Sequence, residues 1–412
     1  MKSSSPKPAL TALCKEASRL GKPAWRPMLR YVAELHARCL LSPIPPFKYP
    51  WEEIGPGYCG SPSFGHWDLI HQVLDQLPTE LENARNQILN NLVAQQSSGL
   101  IPGTIWVRGG KAVFGKKVGH PPVWPVAVEE IYKKDGDRKF LLHCYKAMIK
   151  QIGWFTRLRQ SPDGGFFYAD VLGKDEWESG IDDGIRFKDN PRKPLALVDA
   201  TSHVYTLYKM AALWAPCLGL DATAHRANAA RLRKLIQTEM FDKKTALFQD
   251  PWRLHGKKKK PVLALEGIWP LIVGAATPEQ AQRVIDENIL NPRRFFTKHP
   301  LASVGLRDPD FELRMWRGPA WNSMTYWAAR GCMHYGRADA AHKLLGAALD
   351  QSAKQFAITG AVWEFYHPHG GWPTECARKP YTKFNSPCLN YLGHNPLLVM
   401  ARLWKATLRR KK

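Results

Sequence analysis

Helical periodicity dominates this sequence. Apolar residues recur three and four positions apart, the spacing of an amphipathic helix, over 26–41 (RPMLRYVAELHARCLL), 78–96, 139–159, 197–215, 222–241, 278–290, 319–336, 338–356 and 396–410. Weaker versions of the pattern occupy 66–77, 122–133 and 265–274, so the chain predicts about a dozen helices. Between them run long connections rich in Gly, Pro and Trp, at 42–65, 98–121, 160–196, 246–262, 291–318 and 359–395. Compact domains keep connections of that length where the loops carry function. Helices in pairs, joined alternately by short turns and long decorated loops, predict an all-α toroid whose loops gather at one mouth. No Ser/Gly linker and no shift in composition interrupts 26–412, which reads as a single domain behind a loose, basic extension over 1–25.

The 16 tryptophans tend to stand beside polar or small neighbours, in HWD, VWPV, EWES, MWRGPAW and VWEFY. Such pairings suit ring-shaped ligands with both apolar and polar faces, although a large helical core also consumes Trp. Lys and Arg exceed Asp and Glu by 59 to 36, a net charge of +23. Much of that excess sits in HGKKKKP (255–261) and the LRRKK tail, which read as solvated loops. No zinc-finger spacing, RNP pattern or basic zipper accompanies it, so nucleic acid is not the expected partner. The eight cysteines contain no CxxC pair, and neither a zinc site nor a disulfide framework is expected. No metal or organic cofactor is anticipated. The N-terminus lacks a secretory apolar stretch, no window approaches about 18 uninterrupted apolar residues, and the expected setting is the cytoplasm.

The stretch DEWESGIDDGIRF (175–187) gathers five acids around one tryptophan in a basic protein. Cleavage of a glycosidic bond by general acid and general base needs two carboxyl groups on opposite sides of the sugar, about 6.5–9.5 Å apart when water attacks directly. The proton donor works best with a raised pKa, which burial, an aromatic wall or crowding by other acids supplies. Asp182 follows a Ser-Gly turn, with Asp175, Glu178 and Asp183 near it in sequence and Trp177 as an apolar wall. A second carboxylate, Glu364 in AVWEFYHPHGG, stands between Trp363 and Phe365-Tyr366.

WESGID (177–182), MWRGPAWNSMTYW (315–327), GLIPG with HPPVWPVAV (99–103 and 120–128), WEFYHP (363–368) and FGHWDLI (64–70) occur here in one order. Together they resemble the signature segments of the trehalase-like inverting glycosidases, which include trehalase, the processing α-glucosidases and the small bacterial mannosylglycerate and glucosylglycerate hydrolases. The resemblance spans roughly residues 60–400 and implies an (α/α)6 barrel. It makes Asp182 the general acid and Glu364 the general base. It also places Trp67 and Asp68 at the innermost sugar, and Arg317 on sugar hydroxyls or on a carboxylate. Trp124, Trp177 and Trp321 become stacking surfaces, with Trp316, Trp363, Tyr366 and Glu178 further lining. Glu375, in GWPTECARKP, matches another substrate-binding carboxylate and is the alternative base. The implied substrate is a small α-glucoside or α-mannoside, either a disaccharide or a glycosyl-glycerate.

Two segments depart from the family pattern. DGIRF (183–187) follows the acid, and KFNSPCLNYLGHNPLLVMA (383–401) follows the base. Both put the leaving-group side in question. His66 and His71 read as ordinary polar histidines, and His394-Asn395 before Pro396 as a helix start. Arg307, Arg314 and Lys383 sit in site-forming loops where an anionic aglycone could meet them. Two other readings stand beside hydrolysis: a lyase or epimerase using His367 and Tyr366, and a carbohydrate- or nucleic-acid-binding protein without activity.

Overall fold

The computed structural model describes residues 10–409 except 57, 61, 174–176, 189 and 256–259. Fourteen α-helical segments lie among them. The first seven are α1 (Thr11–Ala17), α2 (Arg26–Cys39), α3 (Asp68–Gln76), α4 (Leu81–Val93), α5 (Trp124–Asp135), α6 (Arg138–Leu158) and α7 (Val198–Cys217). The rest are α8 (Thr223–Glu239), α9 (Pro251–His255), α10 (Trp269–Val273), α11 (Pro278–Arg283), α12 (Asn322–His334), α13 (Ala338–Thr359) and α14 (Leu397–Arg409). Local chemistry sets their ends. Gly136 closes α5 in the left-handed region, where a side chain would be strained. One residue later the Asp137 carboxylate caps α6 by accepting from the Lys139 and Phe140 amides. Thr277 and Gln280 form a reciprocal capping box on α11.

Burial separates the helices into two kinds. All nine residues of α3 are buried, and α7 is buried on every side of its first three turns, as expected of helices with neighbours all round. By contrast α8 buries only Leu232 and Ile236. The buried helices touch one another in sequence. α3 packs on α5 and α14, α7 on α10, and α10 on α12, which meets α14. Trp214 of α7 donates to the Glu129 carboxylate of α5 at 2.7 Å and joins the remaining pair. Contacts therefore pass from α3 round to α14 and back to α3, while α4, α6, α8 and α13 pack outside.

The fold is mostly helical, and it carries a small sheet that the periodicity did not show. Residues 63–65, 104–108 and 111–114 form an antiparallel three-stranded sheet, with Phe64 opposite Ile105 and Ile105 opposite Phe114. Thr104-Ile-Trp-Val-Arg108 is β-branched and aromatic, and Gly109 and Gly110 both take positive φ at the turn, so the segment 98–121 holds a hairpin. The looseness expected over 1–25 is also not what residues 10–25 show. Leu13, Ala17 and Trp25 are fully buried, and the Trp25 indole donates to Asp350 at 2.7 Å. Residues 1–9 lie outside the described part. No helix among the described residues is long and apolar enough to cross a membrane.

Candidate active site

Several of the long connections converge at the N-terminal ends of α3 and α12. Asp68 opens α3, where the positive end of the helix dipole favours a carboxylate. Its Oδ1 accepts from the Tyr391 hydroxyl at 2.5 Å and lies 3.2 Å from His394 Nε2. Burial works against the charge, but His394, His120 and Tyr391 outweigh it and hold Asp68 well below the ordinary carboxylate range. Space for it comes from two glycines. A Cβ on Gly65 would stand 2.8 Å from Asp68 Oδ2, and one on Gly393 2.7 Å from Asp68 Cβ.

The wall beside Asp68 is a stack of indoles. Trp67 and Trp316 lie 5.9 Å apart at 16°, and Trp316 and Trp321 3.7 Å apart at 3°. His394 meets all three edge-on and exchanges a 2.7 Å hydrogen bond with Ser323 through its Nδ1. Beneath them Trp327 donates to His71 Nε2 at 2.9 Å, which leaves His71 Nδ1–H to donate to the Gly393 carbonyl at 2.5 Å. Burial, with the His394 charge, pushes that imidazole down to about 3 and keeps it neutral.

Asp182 stands on a turn pressed against this wall. Gly180, at φ 70°, has no room for a side chain, because a Cβ would fall 2.2 Å from the Trp67 ring. Asp170 fixes the turn from behind by accepting from the Ser179 amide at 3.0 Å and hydroxyl at 2.7 Å. Burial, seconded by Glu178, still pushes Asp170 up to about 8 against those hydrogen bonds. Asp183, at φ 59°, is gripped by Arg314 at 2.9 Å and Arg317 at 3.0 Å. Four residues beyond Asp182, Arg186 ties the loop to the core. It makes two 2.8 Å bonds to Asp199 and reaches Asp250 and Glu266 at 3.4 Å. Asp182 Oδ2 itself accepts from Lys379 at 2.7 Å.

Glu364 is buried, 1 % exposed, and both its oxygens accept from Arg378 Nε, at 3.0 and 2.8 Å. Its Oε2 also takes the Cys388 amide at 3.0 Å. Arg378 goes on to donate to the Tyr58 hydroxyl at 2.8 Å, and Tyr58 packs between Trp106 and Tyr391. The charges of Asp68 and Asp182 both act on buried His120, and those of Asp68 and Glu364 both act on Tyr391. Asp68 therefore shares an electrostatic neighbour with each of the other two carboxylates, His120 with Asp182 and Tyr391 with Glu364.

The mannosylglycerate hydrolase MGH1-like glycoside hydrolase domain matches residues 62–382, well over half of the chain. The chain belongs to that family. It is therefore a glycoside hydrolase. Among solved structures it resembles the GH63 mannosylglycerate hydrolase of Thermus thermophilus in complex with glucose, at 16% identity and a TM-score of 0.69, over 93% of this chain and 100% of the other. The same enzyme in complex with Tris and D-glycerate gives 17% identity and a TM-score of 0.68, over 91% and 98% of the two chains. The neutral trehalase of Saccharomyces cerevisiae matches at 17% and 0.66, over 92% of this chain and 81% of that one. At these identities the likeness is one of fold.

Within this glycoside hydrolase the sequence-derived residues divide. Asp182, Glu364, Trp67 and Asp68 come together as described. Trp177 is half exposed beside them, with Lys379 Nζ 4.3 Å from its ring centre. Arg317 acts on a carboxylate, that of Asp183, and not on open space. The crowd of acids expected around Asp182 is absent among the described residues. Glu178 turns away to Arg159 at 2.6 Å and the Ala169 and Gly119 amides, Asp183 faces two arginines, and Asp175 lies outside the described residues. Trp124, offered as a stacking surface, is fully buried and donates to Gln151 at 2.8 Å in the packing of α5 on α6. Trp316 and Trp321 cover each other's faces and act as wall. Tyr366 is stacked on His299, and Trp363 donates to Thr359. Glu375, the alternative base, is half exposed on a turn, receiving the Trp372 amide at 3.0 Å with His367 3.7 Å away.

Sequence reasoning missed His394, Tyr391, Arg378, Lys379, Tyr58 and His120. His394, taken for part of a helix start, faces Asp68. The unfamiliar segment 383–401 supplies Cys388 to Glu364 and both Tyr391 and His394 to Asp68. The one usable signal was the Arg378-Lys379 pair a short distance beyond Glu364, since two charged residues inside a Trp- and Pro-rich loop need partners.

Proposed function

We propose that the protein is an inverting α-glycosidase acting on a small α-glucoside or α-mannoside, a disaccharide or a glycosyl-glycerate. The ring of paired helices is read as the (α/α)6 toroid, with the converging loops at its mouth. Asp182 protonates the departing glycosidic oxygen, and Glu364 takes a proton from the water that attacks the anomeric carbon on the opposite face. The C–O bond to the leaving group breaks as the bond to water forms, so the sugar leaves as its β-anomer. Asp68 accepts hydroxyl protons of the innermost sugar, and Trp67 offers it an apolar edge.

The observation that supports this reading is the pairing of Glu364 and Asp182 with the adjacent cations Arg378 and Lys379. Arg378 fixes Glu364 from the protein side. For Asp182 to donate, the entering substrate displaces Lys379, whose ammonium already rests 4.3 Å from the Trp177 ring and can pair with an anionic aglycone. The D-glycerate in the complex of the Thermus enzyme supports that choice of leaving group.

A panel of α-linked disaccharides and glycosyl-glycerates, followed by proton NMR of fresh product, tests the proposal. A saturated β-sugar as first product is expected. A first-formed α-anomer removes the inverting mechanism, and an unsaturated ring replaces hydrolysis by elimination.

A further inference from the structure

A second polar hollow lies away from the three carboxylates. A cavity of about 130 Å³ opens between α5, α7, α10 and α12, lined among others by His203, Lys209, Trp269, Trp327, Arg330 and His334. Asp68 opens α3, whereas Lys209, Arg330 and His334 stand two turns or more along α7 and α12. Trp327 lines this cavity and donates through Nε1 to His71, whose Nδ1 bonds the Gly393 carbonyl beside Asp68. His334 is exposed and marks the way in, while His203 is 1 % exposed and marks the inner end.

Among the described residues the lining is cationic and carries no carboxylate. Lys209 Nζ donates to the backbone carbonyl of Val273 at 2.9 Å. Burial, then the Arg330 and Arg233 charges, pushes the Lys209 ammonium down from its ordinary range. Arg330 donates to Glu130 at 2.8 Å and to the Tyr326 hydroxyl at 3.3 Å, which leaves the Lys209 charge without a paired acid among the described residues. The second observation is independent of charge. His203 Nδ1 is engaged by the Tyr168 hydroxyl at 2.7 Å, and its buried Nε2 has no hydrogen-bond partner. Burial pushes His203 down to about 4, so the ring is neutral. Assigning the buried Tyr168 hydroxyl as the donor to Nδ1 puts the ring proton on Nε2, a buried donor without a hydrogen-bond acceptor, which is a costly arrangement.

We infer that this cavity is a binding site for a short-chain carboxylate, separate from the sugar site. The carboxylate oxygens accept from Lys209, Arg330 and His203 Nε2, and the short hydrocarbon end lies against Trp269 and Trp327. Size limits the ligand. A cavity of about 150 Å³ holds benzene, so about six non-hydrogen atoms fill this one. An inorganic oxyanion satisfies the cations but leaves the indole walls without an apolar partner.

The test titrates sodium propionate, and in parallel inorganic phosphate, into the full chain at fixed ionic strength and follows the melting temperature. A saturable rise with propionate is expected, weakened about ten-fold or more in Lys209→Met, since a charged hydrogen bond is worth about 1.5–3 kcal/mol. Met210→Trp, which fills the cavity and keeps every cation, removes the rise by a different route and covers the case in which Lys209→Met folds poorly. Lys379→Met, at the sugar site, keeps it. The site is overturned by the absence of a saturable rise in the natural chain. It is equally overturned by a rise that survives both Lys209→Met and Met210→Trp, or by one that vanishes in Lys379→Met. A rise with phosphate and none with propionate overturns the carboxylate assignment.

Discussion

Arg378 and Lys379 are neighbours in the chain, yet Arg378 holds Glu364 and Lys379 holds Asp182. One dipeptide therefore sets the positions of two carboxylates that lie far apart in sequence. The two pairs differ in kind. Arg378 and Glu364 are 2 % and 1 % exposed, whereas Lys379 and Asp182 are 12 % and 16 % exposed. The first is sealed into the protein, and the second can open to admit a substrate.

Asp182→Asn removes the proposed proton donor and keeps the side chain's shape. Turnover of an α-disaccharide is expected to fall about 10²–10⁴-fold, the usual contribution of general acid catalysis. An α-glycosyl fluoride, whose leaving group needs no proton, is expected to be cleaved far closer to the natural rate. Steady-state kinetics on both substrates checks this, and equal losses on the two would contradict the assignment.

Arg378→Met leaves Glu364 buried without its cation. Breaking a buried pair from one side costs about 3–5 kcal/mol, so a large drop in melting temperature is expected. Arg378→Met with Glu364→Gln restores part of that stability, because no charge remains to be buried, but it does not restore activity. A single variant as stable as the natural chain would show that the pair contributes nothing to the fold.

His36 lies between Glu52 at 2.6 Å and Asp75 at 3.3 Å, with Gln72 and Gln76 completing the shell around Glu52. Burial alone would lower its pKa, but Glu52, then Asp75, raise it to about 9. A raised pKa means that the stabilisation is complete below about 6.5 and is lost as pH rises through 9. The difference corresponds to about 3 kcal/mol. Melting temperature is expected to decline between those limits in the natural chain, and more shallowly in His36→Gln. Parallel slopes in the two chains would exclude His36 as the cause.

Cys59 stands beside Tyr58, in the shell of Glu364. A hydrogen bond from Cys388 lowers the Cys59 thiol to about 7 against burial, with help from Arg378. Burial raises Cys332 and Cys376 to about 12. At pH 7.5 iodoacetamide is expected to label Cys59 well before Cys332 or Cys376, and activity to fall as label accumulates. Cys388→Ala slows that labelling by removing the hydrogen bond. Peptide mass spectrometry over time reads the order, and early labelling of Cys332 or Cys376 would refute it.

The helices were legible because periodicity is a local property. The segment 139–159 gave α6 and 338–356 gave α13, each within a few residues. Asp182 and Glu364 stood out as candidates for another reason: each sits in a short motif whose order along the chain resembles a known family. The hairpin at 104–114 and the packing of α1 were missed because neither is long enough to show a period. Glu178 and Trp124 were misjudged because sequence proximity to Asp182, or a place in a motif, does not give a side chain's direction.

By itself the sequence determined about a dozen amphipathic helices, long loops between them, and which two acids to consider. Only the tertiary structure decided what surrounds those acids. Asp182 met a lysine from position 379 and not the acids beside it in the chain, Glu364 met Arg378, and Asp68 met His394 across more than 300 residues. A helix depends on neighbours within a turn of itself. The state of a carboxylate depends on charges and donors within a few ångströms, and the chain brings those together from anywhere along its length.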